Sequence, residues 1–136
     1  MKKGRVLVAI LGMDQHELGA IAICRILRDV GLEVIYGGRF NLPARIVKMA
    51  VEEDVDVVGL SCHSWEYLYF ISELIQLLRE AKLQIPVVLG GSVITASDEK
   101  SMLEKGVAAA FGPTAPTELI IQTIKRLAGE AGPASP

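Results

Sequence analysis

Five short apolar runs, each followed by a segment of helical periodicity, constrain this chain more tightly than any other feature of its sequence. The runs are Val6 to Leu11, Leu32 to Tyr36, Val55 to Leu60, Ile85 to Leu89 and Val107 to Phe111. Apolar residues occupy consecutive positions in them, which is the pattern of strands covered by helices on both faces. A sheet with one wet face would alternate apolar and polar residues. The helical segments are Leu18 to Asp29, Pro43 to Glu53, about Trp65 to Ala81, about Ser97 to Lys105 and about Thr117 to Ala128. Pro43 suits a first helical turn, where its missing N–H costs nothing, and Gly31 and Gly106 suit helix ends.

Right-handed crossovers turn such an alternation into an α/β fold, a doubly wound open parallel sheet. By analogy, five strands predict the flavodoxin-like (Rossmann-like) order 2-1-3-4-5. The 136 residues suffice for one buried core and not for two domains, so residues 1–128 are expected to form the domain. Residues 129–136, rich in Gly, Ala and Pro, are expected to be a disordered tail. Although 51% of the chain is apolar, no run approaches the roughly 18 residues of a membrane span. The basic start Met1-Lys2-Lys3 leads through an apolar run into Asp14 and His16, not into the small residues of a signal cleavage site. A soluble, cytoplasmic protein with no membrane partner is expected. A net charge of -2 offers no footprint for nucleic acid. Cys24 and Cys62 are too few and too far apart for a disulfide framework or a Cys-x-x-Cys pair, and read as reduced thiols.

In doubly wound sheets ligands bind beyond the carboxyl ends of the strands, near the switch point between the first and third. The residues following the runs there are Asp14-Gln15-His16, Ser61-Cys62-His63-Ser64, Gly90-Gly91-Ser92 and Gly112-Pro113-Thr114. A neutral imidazole whose second nitrogen is held by a carboxylate is a good metal ligand, because that bond fixes its tautomer and raises its basicity. Asp14 and His16 offer such a pair, although a helix cap beside a solvated histidine would read the same from those two residues alone. Gly19 and Gly90-Gly91 leave backbone bare where a bulky group could slide between sheet and helix. A phosphoacceptor receiver would need an acidic pair after strand one, an Asp ending strand three and a Lys ending strand five; Ser61 and Phe111-Gly112 stand at the last two places. No hydroxyl lies between Met13 and Leu18 to make a flavodoxin phosphate loop, and Gly-x-Gly-x-x-Gly is absent from that turn.

The pattern that remains resembles the cobalamin-binding domain of the methylmalonyl-CoA mutase family. Its signature is Asp-x-His-x-x-Gly, then Ser-x-Leu about 41 residues on, then Gly-Gly. Asp14, His16 and Gly19 match, 41 residues intervene before Ser61, and Gly90-Gly91 come 26 residues after His63. The segments Glu53 to Ser61 and Phe111 to Thr117 also look like their acyl-CoA mutase counterparts. In that family the dimethylbenzimidazole tail leaves cobalt and is buried in the protein, and the signature histidine takes its place. The resemblance implies that His16 ligates the cobalt of adenosylcobalamin with Asp14 as its partner. Ser61 would bond the tail base, Gly19, Gly90 and Gly91 would make room for the tail, and Thr114 would lie near it. Two departures stand out: His63 replaces the Leu of Ser-x-Leu, and Gln15 and Glu17-Leu18 stand where acyl-CoA mutases commonly have Gly and Asp-Arg. His63 reads equally as a partner for corrin amides or a second subunit and as a half-exposed loop histidine. Trp65, Tyr67, Tyr69 and Phe70 hold four of the seven aromatics, and read either as core or as a surface against corrin or a partner.

A mutase of this type needs an enclosure around its radical chemistry, which this domain has no residues left to build. The resemblance therefore implies a small subunit, inactive alone, that carries cobalamin to a large TIM-barrel subunit binding the acyl-CoA. A corrinoid carrier for methyl transfer would use the same pocket, but usually with a helical cap ahead of it, and the first strand is expected to start at Arg5. A glutamate-mutase-type small subunit and a degenerate domain that binds nothing are the other readings.

Overall fold

The computed structural model describes residues 4–12, 17–62, 65 and 67–129. Within them β1 (Arg5–Leu11), α1 (Leu18–Asp29), β2 (Glu33–Asn41), α2 (Pro43–Glu52) and β3 (Val57–Ser61) are followed by α3 (Tyr67–Glu80), β4 (Val87–Gly90), α4 (Ala96–Glu104), β5 (Ala109–Phe111) and α5 (Thr117–Leu127). The strands form one parallel sheet in the order β2-β1-β3-β4-β5, the flavodoxin-like arrangement that the alternation predicts.

The consecutive apolar residues of β1 serve two cores at once. Val6, Val8 and Ile10 pack with Ala20, Cys24 and Leu27 of α1 and Ile124 of α5. Leu7, Ala9 and Leu11 face the other way, toward Ile46 of α2, Leu74 of α3 and Met102 of α4. Leu7, Leu27, Leu74 and Leu89 are wholly buried, and each contributes about 1.5–3 kcal/mol relative to exposure. With both faces of the sheet committed to packing, polar chemistry is left to the strand ends.

Four helices close in the same way, which explains why the strands start later than the apolar runs. After α1 the amide of Leu32 donates to Leu27 O, after α2 Val55 to Ala50 O, after α3 Leu83 to Leu78 O and after α4 Val107 to Met102 O. Each bond reaches back five residues across a residue of positive φ: Gly31, Asp54, Lys82 and Gly106. This is the Schellman ending, with an apolar residue just beyond the turn covering the last helical turn. Leu32, Val55 and Val107 thus end helices, and pairing begins only after them.

β2 differs most from expectation, running five residues past Tyr36 to Asn41. Gly37 lies so close to Leu7, Ala9 and Met49 that a Cβ there would stand 3.0–3.2 Å from their side chains. The register against β1 slips twice along this stretch, and Gly38 and Phe40 adopt φ of 78° and 60°. Asn41 is fully buried in the irregular turn and donates from Nδ2 to Gly38 O at 2.8 Å, Ile10 O at 3.1 Å and Gly37 O at 3.3 Å. Its Oδ1 accepts from Arg45 Nε at 3.0 Å.

Candidate functional site

An apolar cleft of about 170 Å³ opens at the carboxyl rim, between the sheet and the two helices that share its face, α1 and α5. Val8, Leu60 and Val88 supply part of the sheet wall, and Ile23, Ile120 and Ile124 the helix wall. Ser61 is the one polar side chain among the residues that line it. Parallel register brings the strand ends level: Ser61 pairs with Ile10 on one side and Gly90 on the other. Beyond the ladder Cys62 N–H donates to Gly90 O at 2.8 Å, and Gly91 N–H to Phe111 O at 3.2 Å, so the rim is bonded through to β5.

Of the residues proposed from sequence, Gly19, Ser61, Gly90 and Gly91 meet in this cleft. They come from α1, β3 and the end of β4 with the residue after it; only the crossovers bring them together. The two adjacent glycines serve different ends. A Cβ on Gly90 would meet nothing within 4 Å, whereas one on Gly91 would run into the backbone carbonyl of Cys62. Thr114 does not line the cleft and sits exposed in the turn in which Ala115 N–H donates to Gly112 O. Asp14, His16 and His63 lie outside the described residues, as do residues 130–136 of the expected tail. The aromatic group divides: Tyr67 is buried and Phe70 packs against the core, while Trp65 and Tyr69 are 59% and 74% exposed.

Sequence reading missed a set of residues that frames the 13–16 segment. Tyr36 Oη donates to Glu17 Oε1 at 2.6 Å, and Arg39 Nε lies 3.3 Å from Glu17 Oε2. The Arg39 guanidinium also lies over the Phe40 ring, 5.1 Å from its centre. On the other flank Gly12 N–H donates to Asn41 O at 2.7 Å. Desolvation, then the bond to the Glu17 carboxylate, push the Tyr36 hydroxyl up to about 12, so it remains a donor near neutral pH. The Asn41 backbone bond leaves no sequence signal, and the Tyr36–Glu17 bond joins residues 19 apart in the chain.

Elsewhere the titratable groups serve the fold. Cys24 and Cys62 are both buried and neither is in a disulfide, and burial pushes the Cys24 thiol up, away from thiolate chemistry. The Tyr67 hydroxyl is buried without a partner of ordinary hydrogen-bond geometry among the described residues. Burial raises its pKa, and the nearby Asp98 carboxylate raises it further. No helix among the described residues is long and apolar enough to cross a membrane.

The fold and its rim cleft define a doubly wound ligand-binding domain whose slot, between a parallel sheet and two helices, suits a flat apolar group. The family model for the B12 binding domain matches residues 4–121, and the chain belongs to that family. It is similar to the pivalyl-CoA mutase small subunit of Xanthobacter autotrophicus, at 36% identity over 124 residues that cover 90% of this chain and 82% of that one. It is also similar to the 2-hydroxyisobutanoyl-CoA mutase small subunit of Aquincola tertiaricarbonis, at 34% identity over 128 residues and 94% of each chain. A solved cobalamin-binding protein from Desulfitobacterium hafniense shares the fold with a TM-score of 0.79. That likeness covers 93% of this chain and 60% of that one, at 20% identity.

Proposed function

We propose that this chain is the cobalamin-carrying small subunit of an adenosylcobalamin-dependent acyl-CoA mutase. The observation that carries the reading is the cleft, with apolar walls, one hydroxyl and a bare Gly90. Its residues fit the cofactor's aromatic tail base. Apolar cavities of roughly 150 Å³ accept benzene, and this cleft of about 170 Å³ is of that order and open at the rim. Ser61 supplies a hydrogen bond to a ring nitrogen, which would otherwise be desolvated without a partner. The two small-subunit relatives support the mutase reading over methyl transfer.

His16 is the proposed cobalt ligand, with Asp14 holding its other ring nitrogen. Gly19 and Gly90 leave room for the tail, Gly91 lets the rim pass close against the Cys62 carbonyl beside it, Thr114 stands near the tail's outer end, and His63 meets corrin amides or the partner. When bound, adenosylcobalamin supplies the radical chemistry of the carbon-skeleton rearrangement. This chain's own residues bind the cofactor, orient it and keep water from its tail. A separate large TIM-barrel subunit, meeting the carboxyl rim, binds the acyl-CoA; the small subunit alone binds cobalamin and rearranges nothing.

Titration of the purified chain with hydroxocobalamin, followed by visible absorption, tests the reading. A histidine-ligated, base-off spectrum is expected in the wild type and not in His16→Ala. An unchanged spectrum on adding the wild type would sink the proposal.

A further inference from the structure

Both flanks of the segment that carries Asp14 and His16 are tied to a single stretch of chain, the irregular end of β2. Gly12 is held by the Asn41 carbonyl, and both carboxylate oxygens of Glu17 are taken, one by the Tyr36 hydroxyl and one by Arg39. Stability does not account for the Arg39 side of the Glu17 tie. Its ion pair is about a third exposed or more on each side, a setting in which such pairs contribute roughly 0–1 kcal/mol, and it immobilises two long side chains. Nor is β2 forced into this shape by its own preferences, because Phe40 is held in a left-handed conformation that a bulky residue resists. Strain and ordering of this kind mark a place where geometry serves something other than the fold.

We propose that Tyr36 and Arg39 are positioning residues, which through Glu17 set the approach of the 13–16 segment and thereby of its imidazole to cobalt. Asn41 secures the other flank through Gly12. The inference rests on the reading of His16 as the cobalt ligand. Supports fixed before the cofactor arrives raise affinity without adding a contact to it.

The test is the hydroxocobalamin titration of the full chain carrying Tyr36→Phe, Arg39→Gln, both together, or Glu17→Ala. Removing such supporting partners typically weakens metal affinity by about tenfold or more, and each change to the tie is expected to do so. The histidine-ligated fraction at saturation should fall as well, a readout that loss of general stability would not move. Melting of the ligand-free chain should shift by only a few degrees, on the order of what a loss near 1 kcal/mol gives. Because Glu17→Ala already releases both partners, adding Tyr36→Phe to it should cost nothing further. Wild-type affinity and a wild-type spectrum in the Tyr36→Phe/Arg39→Gln variant would overturn the positioning role while His16→Ala still abolishes ligation. If His16→Ala also left the spectrum unchanged, the ligand assignment itself would fail, and the positioning role with it.

Discussion

At the scale of single residues, Gly90 and Gly91 show how much two neighbours can differ. In sequence they are one Gly-Gly pair, and both read as room for a ligand. In the fold Gly90 faces open space at the cleft, while Gly91 lets the chain pass against the Cys62 carbonyl. Gly91→Ala is therefore expected to destabilise the ligand-free protein by about 1–3 kcal/mol, the usual cost of overpacking, measured as a lower urea midpoint. Gly90→Ala should stay within about 0.5 kcal/mol of wild type. Gly90→Leu should fold yet bind cobalamin poorly, because its side chain would occupy the cleft. Ser61→Ala should fold normally and weaken cobalamin binding by about fivefold, consistent with one lost hydrogen bond near 1 kcal/mol; unchanged affinity in the titration would show that the hydroxyl does not meet the tail.

At the scale of elements, the helix ends carry information that periodicity blurred. Gly31 and Gly106 were legible as terminators because glycine tolerates the left-handed turn, but Asp54 and Lys82 do the same work with φ of 50° and 59° and carry no such mark. Lys82→Gly is expected to stabilise the protein by up to about 1 kcal/mol, by relieving a conformation that costs an L-residue roughly 1–2 kcal/mol; thermal melting checks it. The start of α4 is closed by a capping box, in which Asp98 N–H donates to Thr95 Oγ1 at 3.1 Å and Thr95 N–H to Asp98 Oδ2 at 3.2 Å. The Thr95 amide holds the Asp98 carboxyl below its usual range, with Tyr67 adding to the effect. A depressed folded pKa means that the stabilisation is complete above the unfolded value, about 3.9, and is lost as pH falls through the lower folded value. Melting temperatures of wild type and Asp98→Asn should therefore differ at pH 7 and converge on acidification below about pH 4. A constant gap would show that the carboxylate charge does not matter there.

On the scale of the whole molecule, one sheet divides two cores and carries the cleft at its carboxyl rim. A ligand that binds only the native state stabilises it by about 2.7 kcal/mol at a hundred times its Kd. Hydroxocobalamin should accordingly raise the melting temperature with concentration in wild type and much less in His16→Ala. Equal shifts in both would detach binding from the imidazole. The architecture itself was legible in the sequence, because parallel strands buried on both faces must be apolar at consecutive positions, and a helix must follow each of them. The proposed site was legible only as spacing: Asp14, His16, Gly19, Ser61 and Gly90-Gly91 match a family pattern, and of these Gly19, Ser61, Gly90 and Gly91 line the cleft. Local sequence could not reveal which glycine touches backbone and which faces the cleft, how far β2 runs, or that Tyr36, Arg39 and Asn41 hold both flanks of the 13–16 segment. Those are contacts between residues far apart in the chain or made by backbone atoms common to every residue type, and they exist only once the sheet has set the register of β1 against β2.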